Sequence, residues 1–162
     1  MVIILFVLHL PFTIAYPLTL ADIMSVEILL PNKHAELIQL WEHTVRHCYP
    51  FYCEHDISTI KQSVLPDLLD MLTLRAIFSP QQVMIGFVGV RQSKVELLFV
   101  NPSYQRQGYG KTLLRYATEI LRCDWLEVDS RNKNARMFYE KMGFVDSMLV
   151  EDSEPTLIRM RR

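Results

Sequence analysis

The sequence predicts a mixed α/β domain: a largely antiparallel central sheet, splayed in the middle, with helices on both faces. Three observations carry this expectation. Two β-rich runs, 75–78 and 83–90, are joined by Ser79-Pro80-Gln81, and Arg91-Gln92-Ser93 then turns into a third run at 95–100, which makes an antiparallel meander. The third run breaks at Asn101-Pro102 and reopens through a glycine loop into an amphipathic helix that leads to the run 125–128. Strand, helix, strand implies a parallel crossover, with the glycine loop at the carboxyl end of its first strand. Two last β-rich runs, 144–150 and 156–160, finish the sheet across an acidic link at 151–155.

The elements follow in order. Residues 1–20 are mostly apolar and contain Pro11 and Pro17, and no Lys or Arg appears before Lys33. A secretory signal begins with positive charge, and a membrane helix has basic flanks and few internal prolines, so neither fits well. Residues 1–23 are therefore expected to be an apolar extension upstream of the true start, with a membrane or export segment as the weaker alternative and 24–162 as a single domain. From Ser25 a short strand, 25–30, precedes a helix over 33–47 with Leu37, Ile38, Trp41 and Val45 on one face, ended by Pro50. A second helical region spans 56–72, with Asp56 as N-cap and Pro66 kinking or dividing it. Gly86 and Gly89 in the run 83–90 mark a bulge or a close approach. The helix after the glycine loop is expected to bury Leu113, Leu114, Ala117, Ile120 and Leu121. The stretch 132–142 places Ala135, Phe138, Tyr139 and Met142 on one helical face, with Asn132 near its start and Gly143 as a stop.

Composition narrows the function. At 162 residues the chain is long enough to bury a core on both sides of a sheet. Seventeen basic side chains against eighteen acidic ones give a formal net charge of −1, which does not suggest a polyanion partner, so nucleic acid is not expected. Three cysteines, Cys48, Cys53 and Cys123, argue against a disulfide framework and for a reducing cytoplasm. Cys48 and Cys53 lie among His43, His47 and His55, but no second Cys pair follows, so no metal is expected. A monomer or homodimer is expected.

The chemistry concentrates in Gln105-Arg106-Gln107-Gly108-Tyr109-Gly110. Gly108 and Gly110 let the backbone turn sharply and bring N–H groups close to a ligand, and the helix that follows adds unpaired donors and the positive dipole end. Such a loop binds phosphate. Gly110-Lys111-Thr112 ends like a Walker A loop, but the leading glycine would have to stand where Gln105 does. The pattern Gln-x-x-Gly-x-Gly, preceded by the strand and Asn-Pro, instead resembles motif A of the GCN5-related N-acetyltransferases. The segment 132–144, Asn-x-x-Ala-x-x-Phe-Tyr-x-Lys-x-Gly-Phe, is similar to their motif B.

This resemblance, specific over 94–144 and closest to small bacterial members, implies an acyl-CoA N-acyltransferase-like fold and acetyl transfer from acetyl-CoA to an amine. It implies that the loop holds the pyrophosphate, with Lys111 or Arg106 adding charge, that the backbone of Phe99 and Val100 pairs with the pantetheine arm, and that Asn132 contacts coenzyme A. Tyr139 takes the family's acid position, against the simpler reading of a core tyrosine. Glu96, which breaks an apolar strand on the face opposite Val95 and Leu97, is the candidate base, with Glu127 as a weaker rival and a solvated strand residue as the plain alternative. His47 and Tyr49 would lie by the acceptor cleft. Attack by the amine is expected to be direct, with the cysteines as bystanders. A non-catalytic acyl-CoA-binding or sensing module is the alternative of another class, and a P-loop nucleotidase is opposed by Gln105.

Overall fold

The computed structural model describes residues 19–150 and 153–162; the apolar run before Thr19, and Glu151 and Asp152 of the acidic link, lie outside them. Seven strands form one sheet: β1 (Glu27–Ile28), β2 (Thr73–Phe78), β3 (Met84–Arg91), β4 (Lys94–Val100), β5 (Trp125–Asp129), β6 (Val145–Val150) and β7 (Leu157–Arg161), in the spatial order β1-β2-β3-β4-β5-β7-β6. Each neighbouring pair is antiparallel except β4 and β5. That parallel junction holds only two residue pairs, Lys94 with Trp125 and Val95 with Leu126. Beyond it, β4 keeps β3 as its partner through Val100 while β5 continues to Asp129 on β7, so the sheet is splayed as expected.

Helices cover the two faces unequally. On one face α5 (Tyr109–Arg115) and α6 (Lys133–Lys141) pack on a core that includes Leu113, Leu114, Ala117, Leu126, Phe144 and Met160. On the other, α2 (His34–Cys48) buries Leu37, Trp41 and Val45, and α3 (Glu54–Thr59) and α4 (Leu65–Asp70) add Ile57, Leu65 and Leu69 against Ala76 and Phe87. Because Leu126 and Val128 point into the first core, the pleat turns Trp125, Glu127 and Asp129 to the α2 side.

Several local expectations are corrected. Asp56 is not the N-cap of its helix: Cys53 holds that place, and Asp56, three residues on, accepts the Cys53 backbone N–H at 2.9 Å. Pro66 does divide the helical region, as expected, with a π-turn over Ile60–Val64 leading into α4. Ile120 is 43% exposed rather than buried. The cause is a second π-turn, Tyr116–Ile120, closed by Leu121 N–H to Tyr116 C=O at 3.1 Å; its wider turn rotates the side chains that follow away from the 3.6-residue register. In β4, the register passes from Gly89 with Leu97 to Val90 with Val95, leaving Glu96 as an extra residue. Alternation breaks there, so Leu97 packs in the α2-side core and does not share a face with Val95. The first helix, α1 (Leu20–Met24), falls largely within the stretch read as an extension; it buries no residue, and its Asp22 reaches Thr112 and lies near Arg115 of α5.

Candidate active site

The glycine loop grows out of the end of β4. Asn101 accepts the Ser103 N–H at 3.0 Å and starts a 3-10 turn, Pro102–Tyr104. Arg106 and Gly108 then take positive φ, 61° and 97°, and the first helical bond runs from Thr112 N–H to Gly108 C=O at 3.0 Å. The N–H groups of Tyr109, Gly110 and Lys111 thus have no carbonyl partner within the helix and stand at its positive end. Gly108 needs its left-handed backbone, since a Cβ there would meet nothing within 4 Å. A Cβ on Gly110 would lie 3.6 Å from Val100 Cγ2 and 3.7 Å from Phe138 Cζ, so β4, α5 and α6 converge at this point. Gln105 ties the loop down: its Nε2 donates to Val100 C=O at 3.1 Å and to Cys48 Sγ at 3.4 Å. Gln107 Nε2 bonds Ser103 C=O at 3.2 Å. Lys111 lines a groove of about 370 Å³ with Asp22, Gln107, Gly108, Thr112 and Arg115, whose walls include neither Gly110 nor Phe138.

Across the splay stands α6. Asn132 caps it, accepting the Ala135 N–H at 3.0 Å, and its side chain also bonds the Tyr49 hydroxyl. Tyr139 packs between Phe138 and Phe144, with ring centroids at 5.3 and 6.1 Å. Burial, with the neighbouring Tyr49, raises its pKa, so the phenol keeps its proton throughout the physiological range. Tyr49 follows the last residue of α2; it stacks on Tyr52 and meets Phe99 with its ring tilted by 30°, both at 6.0 Å. Burial pushes its hydroxyl up to about 12, against the opposing effect of the Asn132 hydrogen bond. The structure therefore brings together Phe99, Val100, Gln105, Gly110, Asn132, Tyr139 and Tyr49. His47 is exposed, and its recorded ring contact is with His43 at 6.4 Å.

Glu96 stands in a different setting from the one its sequence position suggests. Its side chain is 10% exposed, and both oxygens are engaged, by Arg91 Nη2 at 2.7 Å and Lys94 Nζ at 2.8 Å. Lys94 continues to Glu127 at 2.9 Å and Glu127 to Arg159 at 2.7 Å. Burial works against the charged form of Glu127, but the hydrogen bonds from Lys94 and Arg159 outweigh it and hold its carboxyl below the usual range. Lys94 and Arg159 both lie on the Trp125 ring, at 5.1 and 4.6 Å. Sequence reasoning missed this lattice, and also Arg131, which pairs with Asp129 at 2.6 Å and covers Phe51. Only the spacing Asp129-x-Arg131 hinted at the latter pair. Among the described residues no group of three or more His, Cys, Asp or Glu is placed to hold a metal ion, and no helix is long and apolar enough to cross a membrane.

Known proteins are similar to this chain in sequence and in fold. Over 116 residues the chain is 28% identical to the peptidyl-lysine N-acetyltransferase YjaB of Salmonella typhimurium strain LT2, covering 70% of this chain and 79% of that protein. Among solved structures, apo YjaB from Escherichia coli superposes with a TM-score of 0.74 at 20% identity, covering 85% of this chain and 95% of that one. The PaiA N-acetyltransferase of Thermoplasma acidophilum, solved in complex with coenzyme A, superposes with a TM-score of 0.70 at 22% identity, covering 85% and 97%. The family model of the acetyltransferase (GNAT) family matches residues 35–144, which contain β4, the glycine loop, Asn132 and Tyr139, and the chain belongs to that family.

Proposed function

We propose that this N-acetyltransferase carries the acetyl group of acetyl-CoA directly to a primary amine, in the cytoplasm, with a protein lysine as the favoured acceptor because the YjaB relative is named for peptidyl-lysine. The observation that carries the reading is the splay itself: β4 parts from β5 after Val95, at a point flanked by a phosphate-type loop and a protonated tyrosine. In this reading the pantetheine arm lies along the free edge of β4 and bonds the backbone of Phe99 and Val100. The N–H groups from Arg106 to Lys111 take the pyrophosphate, with the Arg106 and Lys111 side chains adding charge, and Asn132 contacts the coenzyme from α6.

The amine nitrogen attacks the thioester carbonyl carbon, the C–S bond breaks, and the Tyr139 hydroxyl gives its proton to the departing thiolate. The proton lost by the nitrogen passes through water to Glu96, which exchanges its ion pair with the exposed Arg91 to take it. Tyr49 and His47 face the acceptor. No acetyl-enzyme forms. The engagement of both Glu96 oxygens favours a second reading, a non-catalytic acyl-CoA-binding module, in which Glu96 is structural.

Free-thiol release from acetyl-CoA with a panel of lysine peptides and small amines separates the two. Acetyl-CoA binding with turnover supports transfer, binding without turnover on any amine supports the module, and preferential binding of ATP contradicts both.

A further inference from the structure

Between the α2–α3 loop and the turn after β5 stands a cation that the proposed chemistry does not use, Arg131. The Arg131 guanidinium lies over the Phe51 ring at 4.6 Å and the Tyr52 ring at 5.6 Å. Its Nη2 and Nε stand 2.6 and 2.9 Å from the two oxygens of Asp129. The carboxylate is buried, with its side chain 7% exposed, whereas the Arg131 side chain is 44% exposed. Phe51 and Tyr52 continue into Tyr49 at 5.6 and 6.0 Å, and Tyr49 bonds Asn132 and neighbours Tyr139. A buried carboxylate backed by two aromatic faces is a cation-binding arrangement. It lies one ring away from the proposed acid.

We infer that Asp129, Phe51 and Tyr52 form a cation subsite for the acceptor, filled by Arg131 in the free protein and given over to a second positive charge on the acceptor near the amine that is acetylated. The inference rests on the acetyltransferase reading. Asp129 Oδ1 also accepts the Arg131 backbone N–H at 2.9 Å, so the carboxylate stays in place when the guanidinium swings out. Without a counter-ion Asp129 would be a buried, unpaired charge, which is strongly unfavourable. A neutral group therefore does not displace Arg131, but an ammonium does, because it restores both the ion pair and the contact with the rings. Arg131, half in water, loses little on leaving. The preference for a dication is thereby set by Asp129 and reduced by competition from Arg131.

Calorimetric titration of the coenzyme A-bound protein with the diamine cadaverine and the matched monoamine pentylamine tests this. Cadaverine is expected to bind about tenfold more tightly than pentylamine or better. Asp129→Asn should bring the two affinities together, and Arg131→Ala should raise the cadaverine affinity severalfold by removing the internal competitor. Should Asp129→Asn fail to fold by circular dichroism, Arg131→Ala decides alone. Equal affinities in the unmodified protein, a preference that survives Asp129→Asn, or weaker cadaverine binding in Arg131→Ala overturns the subsite. Thiol release from acetyl-CoA, measured on the same protein variants with the same two amines, keeps the two readings apart. Acetyl transfer without diamine preference rejects only the subsite, and diamine preference without transfer rejects only the transferase reading.

Discussion

At Tyr139, burial sets the protonation state that the proposed chemistry requires. A phenol whose pKa is raised by its apolar surroundings is fully protonated at neutral pH, so it can donate a hydrogen bond, and then its proton, to the sulfur as negative charge builds there in the breaking C–S bond. Tyr139→Phe removes only that hydroxyl, and turnover measured by thiol release is expected to fall by about a hundredfold to ten-thousandfold while calorimetric affinity for acetyl-CoA holds. A loss of stability with turnover intact would make Tyr139 a packing residue. Glu96→Gln tests the base: the rising limb of the pH–rate profile should move toward the ionisation of the free acceptor amine, about 10.4 for a lysine. An unmoved limb would assign Glu96 to the ion-pair lattice alone. Tyr139 and Asn132 were legible in the sequence because a helical period and a cap signal fix their places on α6. The partners of Glu96 were not, because a one-residue bulge and a contact between Lys94 and Glu127, thirty-three positions apart, decide them.

Among the elements, β4 carries the most consequence, because it is both a core strand and one wall of the crevice. Its packing against β3 requires Gly86: a Cβ there would fall 2.7 Å from the Phe99 carbonyl oxygen and 3.2 Å from Leu113 Cδ1. Gly86→Ala must push β4 away from β3, at a cost of about 1–3 kcal/mol. The melting temperature is expected to drop and acetyl-CoA binding to weaken together, since the displaced backbone is that of Phe99 and Val100. A lower melting temperature with unchanged affinity would mean that those backbone groups do not hold the coenzyme. The glycine signal was readable in the sequence as a bulge or close approach, and it is both: Gly86 marks the approach and Gly89 stands at the register shift. The π-turn in the helix after the loop was not readable, because nothing in 116–120 distinguishes it from an ordinary turn, and so Ile120 was assigned to the wrong face.

For the whole molecule, the antiparallel meander, the parallel crossover and the glycine loop between them were all legible, since each has its own periodicity and turn residues. The insertion of β7 between β5 and β6 was not, because strand order at the end of a chain depends on long-range pairing that leaves no local mark. α1 rests on α5 through Asp22 but buries no residue, so a chain beginning at Met24 should melt within a few degrees of the full one and bind acetyl-CoA equally. Collapse of the shortened chain would place 1–23 within the fold. The central claim is that acetyl-CoA lies in the crevice where β4 leaves β5 and presents its acetyl group to Tyr139. Amide NMR during titration with coenzyme A tests it most directly: the largest shifts should fall on 97–100, on 106–111 and on Asn132 and Tyr139. Shifts confined to the α2-side face or to the groove beside Asp22, with 97–100 unmoved, would contradict it.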